Sequence, residues 1–179
     1  NHRIRRVMPQ GTVTTLAGAK AGYSDGVGAS AAFKQPSGIA SDGDGYLYVS
    51  DAGNRRIRRV ALTGVVITVA GSGAAGWADG MATQAQFVLP AGLVLDPAGR
   101  LLISDRGSHR LRVLGPGGQV STLAGSGVPG IVDGDAATAS FLSPTDVAVR
   151  PTGEILVTDR GNHRVRRIHG NGPGCSISG

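Results

Sequence analysis

The chain has 179 residues, of which 18 are Lys or Arg and 12 are Asp or Glu, so its formal net charge is +6. Hydrophobic residues make up 40% and charged residues only 17%, which excludes a disordered chain. Glycine accounts for 30 residues but does not recur at every third position, which excludes a collagen-like chain. Cys175 is the only cysteine, so no internal disulfide is available, and no apolar run approaches the roughly 20 residues of a membrane-spanning helix.

A seven-residue pattern occurs four times along the chain. It begins at four polar residues, at spacings of 53, 54 and 54 positions: Asn1, Asn54, Ser108 and Asn162. Other residues keep the same 54-residue spacing: Phe33, Phe87 and Phe141; Pro36, Pro90 and Pro144; Asp25, Asp79 and Asp133; Asp51, Asp105 and Asp159. Repetition at one fixed period predicts an array of similar structural units.

One repeat, read from Pro36, contains four short segments that are expected to be strands. Their predicted bounds in chain order are 38–42, 46–51, 56–60 and 65–69. Turns that contain Gly, Asn or Asp separate them, which favours an antiparallel meander. Such a sheet cannot bury both faces alone, so successive copies must stack. Radial stacking of four-stranded sheets is the β-propeller, whose blades take about 40–50 residues each.

We name the four strands of a blade a to d in chain order. The chain starts in a c strand at Asn1–Val7 and continues with a d strand at Thr12–Ala17. Three a-b-c units follow, of which only the first two are completed by a predicted d strand. The chain therefore divides into a propeller region, residues 1–168, and a tail or linker rich in Gly, Pro and Ser, residues 169–179.

The motifs of this repeat resemble a known family. Pro-Ser-Gly-Ile-Ala from Pro36, followed by Leu-Tyr-Val-Ser-Asp and by Asn-Arg-Arg-Ile-Arg, resembles the NHL repeat. The Thr-Leu-Ala-Gly, Asp-Gly and Ala-x-Phe-x-x-Pro stretches are similar to the longer NHL variants of extracellular and multidomain proteins. The resemblance extends to about Ile168. It implies an all-β protein, a β-propeller of four-stranded antiparallel blades, and leaves the function open because propellers carry many unrelated activities.

The chain is predicted to form about three blades and part of another, fewer than the roughly four or more blades of closed rings. Three arrangements remain open. The chain is a segment of a larger propeller, two copies complete one ring, or copies join end to end without closing. We favour the first. An open blade exposes strand edges and apolar faces that can pair with a partner chain or a second copy.

Basic residues are concentrated in the c strands. Of the 18 Lys and Arg residues, 14 lie in the four copies of this strand or in the turn before it. Three of them form a candidate collar for a polyanion, or alternatively pack their stems over a neighbouring blade: Arg58, Arg112 and Arg166. Structural Asp/Arg pairs are predicted at a fixed spacing of five residues: Asp51 with Arg56, Asp105 with Arg110, and Asp159 with Arg164.

A candidate interaction surface lies in the long connections between blades. Tyr23, Trp77 and Ile131 occupy one register position ahead of an Asp-Gly turn, where they either contact a partner or pack on the next blade. Arg106 and Arg160 in the b–c turns are expected on the same face of the disc. The aspartates of the same connections are expected to cap their own turns: Asp25, Asp79 and Asp133.

No combination of residues predicts a catalytic site, a cofactor or a metal. His2, His109 and His163 occupy one repeat position on separate blades and cannot converge as metal ligands must. We therefore predict a non-catalytic scaffold for protein–protein interaction or assembly, in a larger multidomain protein or an oligomer. Polyanion or RNA binding through the arginine collar is the alternative, and a lyase-type propeller enzyme is a more distant one.

The predicted tail leaves two states open for Cys175. It is either a buried free thiol or disulfide-bonded to another domain or chain. A tail of this composition slightly favours an extracellular or cell-surface protein. No membrane insertion is expected.

Overall fold

We describe a computed structural model, which covers residues 1–170 and 175–179. Three short 3-10 turns lie among the strands: Gly28–Ser30, Ala52–Asn54 and Arg160–Asn162. No α-helix forms within the described residues, and none of them belongs to a helix long and apolar enough to span a bilayer. The strands in chain order are β1 (Ile4–Val7), β2 (Val13–Ala17), β3 (Gly26–Val27), β4 (Pro36–Ser41), β5 (Tyr46–Asp51), β6 (Arg56–Ala61), β7 (Val65–Ala70), β8 (Gly80–Met81), β9 (Pro90–Leu95), β10 (Leu101–Asp105), β11 (Arg110–Leu114), β12 (Gln119–Ala124), β13 (Gly134–Asp135), β14 (Pro144–Val149), β15 (Ile155–Asp159), β16 (Arg164–His169) and β17 (Ser176–Ser178).

The strands build three five-stranded antiparallel sheets and one two-stranded sheet. From the inner to the outer strand, the first complete blade has the order β4-β5-β6-β7-β3, the second β9-β10-β11-β12-β8, and the third β14-β15-β16-β17-β13. Strands β1 and β2 pair as the c and d strands of a further half blade. The predicted antiparallel meander is thus confirmed in each complete blade.

Each long connection adds a fifth strand to the blade that it leads into. Gly80–Met81 precedes strand a of the second blade and pairs with its d strand, β12. Beside this pair, Ala82 donates its N–H to Gly118 O at 2.7 Å. The equivalent bonds in the other blades are Gly28 N–H to Gly64 O (2.9 Å) and Ala136 N–H to Cys175 O (2.8 Å). A two-residue strand has no periodic pattern to detect, so sequence reasoning stopped at four strands.

The third blade contains a d strand that the repeat spacing did not predict. Ser176–Ser178 pairs with β16, so this part of the predicted tail belongs to the third sheet. The c–d hairpin is longer here than in the second blade: Leu114 lies opposite Val120, six positions on, whereas Ile168 lies opposite Ile177, nine positions on. The strand therefore falls three residues behind the 54-residue spacing. Residues 171–174 of the predicted tail lie outside the described residues.

Cys175 precedes this strand as a free and buried residue. It belongs to the apolar cluster between the second and third blades. Burial raises the pKa of its thiol, which lowers its reactivity because the thiolate is the reactive form. The thiol is buried, as the first of the two states left open by the sequence expects.

The hydrophobic core consists of three clusters, one at each junction between adjacent sheets. Each cluster joins a c strand, the Phe of the following connection and the b strand of the next blade. Representative residues are Ile4, Phe33 and Val49 at the first junction, Ile57, Phe87 and Ile103 at the second, and Leu111, Phe141 and Val157 at the third. The sheets therefore stack face to face, as blades do.

The innermost strands of the three blades approach one another closely. A methyl group at Gly38 in β4 would overlap the carbonyl oxygen of Ala91 in β9, and one at Gly92 would overlap Thr145 and Asp146 in β14. Face-to-face sheets whose first strands converge are the arrangement of a propeller around its axis. The predicted three blades and a partial one are confirmed, and the described strands do not close a ring.

The close approach of the inner strands predicts that Gly38→Ala destabilises the protein. The added methyl group has no space against Ala91, and such overpacking lowers the free energy of unfolding by about 1–3 kcal/mol. Gly117→Ala is the matched control, because nothing lies within 4 Å of a methyl group there. It should leave stability unchanged or raise it by up to about 1 kcal/mol. Urea unfolding measures both variants, and equal stabilities would contradict the inner-strand geometry.

Candidate functional site

The turns of the blades lie at two opposite rims. Hydrogen bonds join the b–c turns to the long connections: Gly53 N–H to Lys34 O (2.8 Å), Arg106 N–H to Leu89 O (3.1 Å) and Gly161 N–H to Leu142 O (2.7 Å). At the other ends of the strands, Leu62 of a c–d turn donates its N–H to Gly45 O of an a–b turn at 3.1 Å. We call the rim with the connections and b–c turns the upper rim, and the other the lower rim.

The three arginines predicted as a polyanion collar are buried inside the blades. Arg58, Arg112 and Arg166 are 0% exposed. Each guanidinium lies over the Phe ring of the connection, 5.1–5.5 Å from the ring centroid. The prediction of an accessible collar is therefore wrong for these residues, because an external anion cannot reach a fully covered guanidinium. Their stems pack within the propeller, as the alternative interpretation expected.

Each buried arginine bridges two aspartates. Arg58 Nη1 donates to Asp51 Oδ2 at the end of β5, and Arg58 Nη2 donates to Asp25 Oδ1 in the connection, both at 2.7 Å. The same nitrogens donate to the carbonyl oxygens of Ala32 (3.0 Å) and Ser24 (2.7 Å). In the other blades the aspartates are Asp105 and Asp79 around Arg112, and Asp159 and Asp133 around Arg166. We call these sets of one arginine and two aspartates the arginine nodes, and they fasten each connection to its blade.

The prediction that each of these Asp side chains pairs with the Arg five residues later is wrong. The predicted residues do lie opposite each other in the backbone register: Asp51 and Arg56, Asp105 and Arg110, Asp159 and Arg164. The Asp51 carboxylate, however, faces the connection before its blade, where it accepts the N–H of Lys34 at 2.7 Å. Arg56 faces the connection after the blade, where its Nη2 donates to Ser72 O at 2.7 Å. The partner of the aspartate is the arginine two residues later.

The aspartates of the connections bind across elements rather than capping their own turns. Besides its arginine, Asp25 accepts the backbone N–H of Thr68 through Oδ2, and Asp79 accepts that of Thr122, each at 3.1 Å. The side chains of Asp25, Asp79 and Asp133 are 44–49% exposed. Sequence reasoning missed this role because the arginine lies 33 residues further along the chain. The spacing shared by these aspartates and the buried arginines was the signal that could have linked them.

The node of the second blade is less completely bonded than the others. In the first blade, Asn54 donates to the node aspartate at 2.8 Å and to Gly22 O at 2.7 Å. Ser108 takes its place in the second blade and donates to Asp105 Oδ2 at 2.6 Å, while Arg112 Nη1 lies 4.0 Å from that oxygen. Burial raises the pKa of Asp105, although hydrogen bonds from Ser108 and from backbone N–H groups oppose the shift.

Large apolar side chains of the connections stand on the upper rim. Tyr23 is 47% exposed, Trp77 58% and Ile131 44%. The guanidinium of Arg56 lies 3.8 Å from the ring centroid of Tyr23, and that of Arg110 lies 4.9 Å from that of Trp77. The two aromatic rings are therefore supported by arginines of their own blades and still accessible from outside.

The two arginines predicted beside these side chains lie in b–c turns of the upper rim. Arg160 is exposed and Arg106 is half-buried. Arg106 lines a groove of about 490 Å³ along the inner strands, together with Ile39, Thr145 and Asp146. The upper rim thus combines exposed apolar side chains, arginines and the half-exposed aspartates of the nodes.

Two histidines of the repeat, His2 and His109, lie at blade junctions. Nδ1 of His2 accepts the N–H of Gln35 at 3.1 Å, and Nδ1 of His109 accepts that of Ser143 at 3.0 Å. Each histidine thereby binds the segment that enters the next blade. Residues 1–170 and 175–179 contain no group of three or more His, Cys, Asp or Glu side chains placed to hold a metal ion.

The weaker second node predicts that Ser108→Asn stabilises the protein. The new amide can donate to Asp105 and to the carbonyl of Gly76, as Asn54 does in the first blade, which adds about 0.5–1.5 kcal/mol to the free energy of unfolding. The pKa of Asp105 is raised on folding, so its contribution to stability is complete below the unfolded pKa and is lost as the pH rises through the folded pKa. An added donor lowers that folded pKa.

The gain from Ser108→Asn should therefore be larger at about pH 7 than at about pH 4. Denaturant unfolding at the two pH values measures it. The reverse change in the first blade, Asn54→Ser, is the control and should lower stability. A destabilised Ser108→Asn variant would count against this description of the node.

Comparison with known families and sequences identifies the repeat. The NHL repeat model matches residues 87–114 and 141–168, each from the Phe of a connection into the following c strand. Protein SUPPRESSOR OF QUENCHING 1, chloroplastic, from Arabidopsis thaliana is 36% identical over 114 residues, which is 61% of this chain and 11% of that protein. NHL repeat-containing protein 2 from Homo sapiens is 39% identical over 69 residues, 38% of this chain and 9% of that protein. The chain thus spans about a tenth of the length of these relatives.

Solved structures share the fold. A structural genomics protein of unknown function from Bacteroides thetaiotaomicron superimposes with a TM-score of 0.78 at 23% identity, over 99% of this chain and 43% of that chain. Virginiamycin B lyase from Staphylococcus aureus superimposes with a TM-score of 0.62 at 14% identity, over 99% of this chain and 48% of that chain. At these identities the likeness concerns the fold alone. The chain thus carries NHL repeats at residues 87–114 and 141–168 within a β-propeller fold.

Proposed function

We propose that this NHL-repeat chain is a non-catalytic interaction module that binds a protein partner on its upper rim. The observation that carries the proposal is a large, half-exposed apolar side chain held on an arginine: Tyr23 on Arg56 and Trp77 on Arg110. Ile131 occupies the same position in the third blade. Trp, Tyr and Arg are the residues most enriched at binding hot spots.

The arginine nodes support this proposal because they hold the connections in place. A connection that is bonded through its aspartate to a buried arginine loses little conformational entropy when a partner binds. Arg56 also reaches Ser72 in the next connection, and Arg110 reaches Ser126, so neighbouring connections are linked. The exposed apolar side chains therefore stand at a fixed spacing, which suits recognition of a folded protein surface.

The charges of the upper rim are mixed rather than uniformly basic. Arg106 and Arg160 share the upper rim with the half-exposed aspartates of the nodes, and mixed charges of this kind are typical of the polar border of a protein interface. The polyanion alternative depended on Arg58, Arg112 and Arg166, which are buried. We therefore do not propose polyanion binding.

The proposal predicts that Trp77→Ala weakens partner binding without loss of stability. Loss of a central Trp contact costs about 2 kcal/mol or more of binding free energy, a drop in affinity of roughly 30-fold. Thermal unfolding should change little because the side chain is 58% exposed. Leu62→Ala is the matched control, since Leu62 is 50% exposed on the lower rim.

The measurement is a quantitative comparison of proteins retained from a lysate of the source organism by the immobilised wild type and the two variants. Proteins retained by the wild type and by Leu62→Ala but lost with Trp77→Ala would identify the partner. Purified partner and calorimetry would then give the loss of affinity. An identical set of retained proteins on all three would refute the role of the upper rim.

A second contact surface is proposed on the outer face of the third blade, for self-association with a second copy. Val165 is 59% exposed there, whereas Ile57 and Leu111 at the same repeat position are 0% exposed against the next blade. An apolar strand face that is covered at two junctions is suited to pack on another sheet.

Self-association through this face predicts a molar mass that rises with concentration for the 179-residue chain. Val165→Asp should abolish the rise, because it places a charge in the contact. Leu62→Asp on the lower rim is the control and should associate like the wild type. Light scattering after gel filtration measures the mass, and a monomer at every concentration would exclude this surface.

A further inference from the structure

The junction between the first and second blades is incompletely filled at the lower rim. A crevice of about 250 Å³ opens there, with Tyr48 and Arg59 of the first blade on one side. Leu95, Leu101 and Leu114 of the second blade form the other side. Leu101 and Leu114 are only 1% and 7% exposed and belong to the core cluster of this junction, so the inner end of the crevice is apolar. We call this cavity the Tyr48/Arg59 crevice.

The repeat shows what occupies these positions at the next junction. The residues 54 positions after Tyr48 and Arg59 are Leu102 and Val113. They are 0% and 8% exposed and pack in the apolar cluster between the second and third blades. Tyr and Arg have polar ends that an apolar junction cannot accommodate without a partner. The Tyr and Arg in the lining of the crevice are therefore a property of this junction and not of the fold.

Arg59 has no acidic partner among the residues that the structure describes. Its guanidinium lies 4.6 Å from the ring centroid of Tyr46, and no carboxylate of residues 1–170 or 175–179 lies within ion-pair distance of it. The described residues that line the crevice include no acidic one. A smaller lower-rim cleft of about 210 Å³ next to the third blade differs in this respect, because its Arg100 is paired with Asp96 at 2.7 Å.

These properties define the chemistry that the crevice can recognise. A half-buried guanidinium beside apolar walls favours an anion, because the low local dielectric strengthens the ion pair. Stacking on Tyr46 restricts the guanidinium, so less entropy is lost when it binds. The hydroxyl of Tyr48 supplies a further donor, since it makes no hydrogen bond within the described part of the chain.

We propose that the Tyr48/Arg59 crevice binds a small organic carboxylate with an apolar body. The carboxylate accepts two parallel hydrogen bonds from Arg59 and one from the Tyr48 hydroxyl, while the apolar body covers Leu95, Leu101 and Leu114. The cavity lies just below the range of about 300–1,000 Å³ for small-molecule sites, so the ligand carries a single ring or a short branched chain. The site is on the lower rim and is independent of the protein-binding surface.

The experiment is an NMR titration of the 15N-labelled 179-residue chain with 3-phenylpropionate. Its neutral amide and the cation 3-phenylpropylamine are titrated in parallel, because they share the apolar body and differ in charge. Saturable shifts are expected for the backbone amides of residues that line the crevice: Leu95, Gly99, Leu101, Leu114, Gly115 and Gly118. The carboxylate should bind at least about tenfold more tightly than the amide, and the amine should not bind.

Two variants separate the charge from the cavity. Arg59→Gln should remove the preference for the carboxylate over the amide. The double variant Tyr48→Leu/Arg59→Val copies Leu102 and Val113 of the next junction, removes both proposed hydrogen-bond donors, and should abolish binding of the carboxylate. Its thermal unfolding midpoint should equal or exceed that of the wild type, because the two polar ends that an apolar junction cannot accommodate without a partner are removed.

Arg6→Gln is the matched control, since Arg6 is the exposed counterpart of Arg59 in the half blade, and it should bind like the wild type. The proposal is overturned if the carboxylate produces no saturable shifts, or if the amide binds equally well. Undiminished binding by the double variant would overturn it too. If the double variant does not fold, the titration of Arg59→Gln is sufficient as the test. The proposal is then overturned if Arg59→Gln prefers the carboxylate over the amide as strongly as the wild type does.

Discussion

The buried guanidinium shared by two carboxylates is the interaction on which the blades depend. Placing a charge in the interior is costly unless it is paired and fully hydrogen-bonded, and removing one partner of such a pair costs about 3–5 kcal/mol. In the first blade, Arg58 meets this condition with Asp51, Asp25 and two backbone carbonyls. Because Asp25 and the carbonyls belong to the connection, the same contacts place Phe33 in the core and Tyr23 on the upper rim.

The blades share these nodes and differ in the surfaces around them. The second junction has Tyr48 and Arg59 where the third has Leu102 and Val113, although both neighbouring blades keep the buried arginine. Residues at a junction can therefore differ while the node of each adjoining blade is kept. Residues with a recognition role are therefore expected where one repeat departs from the others.

The strand meander and the stacking of its copies followed from the spacing and composition of the residues. The side-chain partners of the charged residues did not follow from the spacing. Asp51 lies opposite Arg56 in register but bonds to Arg58, because the connection supplies the N–H group that turns the carboxylate. The prediction of an accessible arginine collar was wrong for the same reason. An arginine in a strand is expected to be exposed unless it is known that a connection covers it, and the aspartate that binds Arg58 lies 33 residues away. Ser176–Ser178 escaped notice because a longer hairpin moved it off the common spacing.

The sequence by itself determined the repeat, the strands and the family resemblance, because periodicity and turn chemistry are local properties of the chain. Only the tertiary structure decided which charges are buried and which are free. Arg58 and Arg59 are neighbours in sequence, yet the first is covered by its node and the second borders an open crevice. Alternate residues of a strand face opposite sides of the sheet, and what each side meets depends on the blade and the connection packed there.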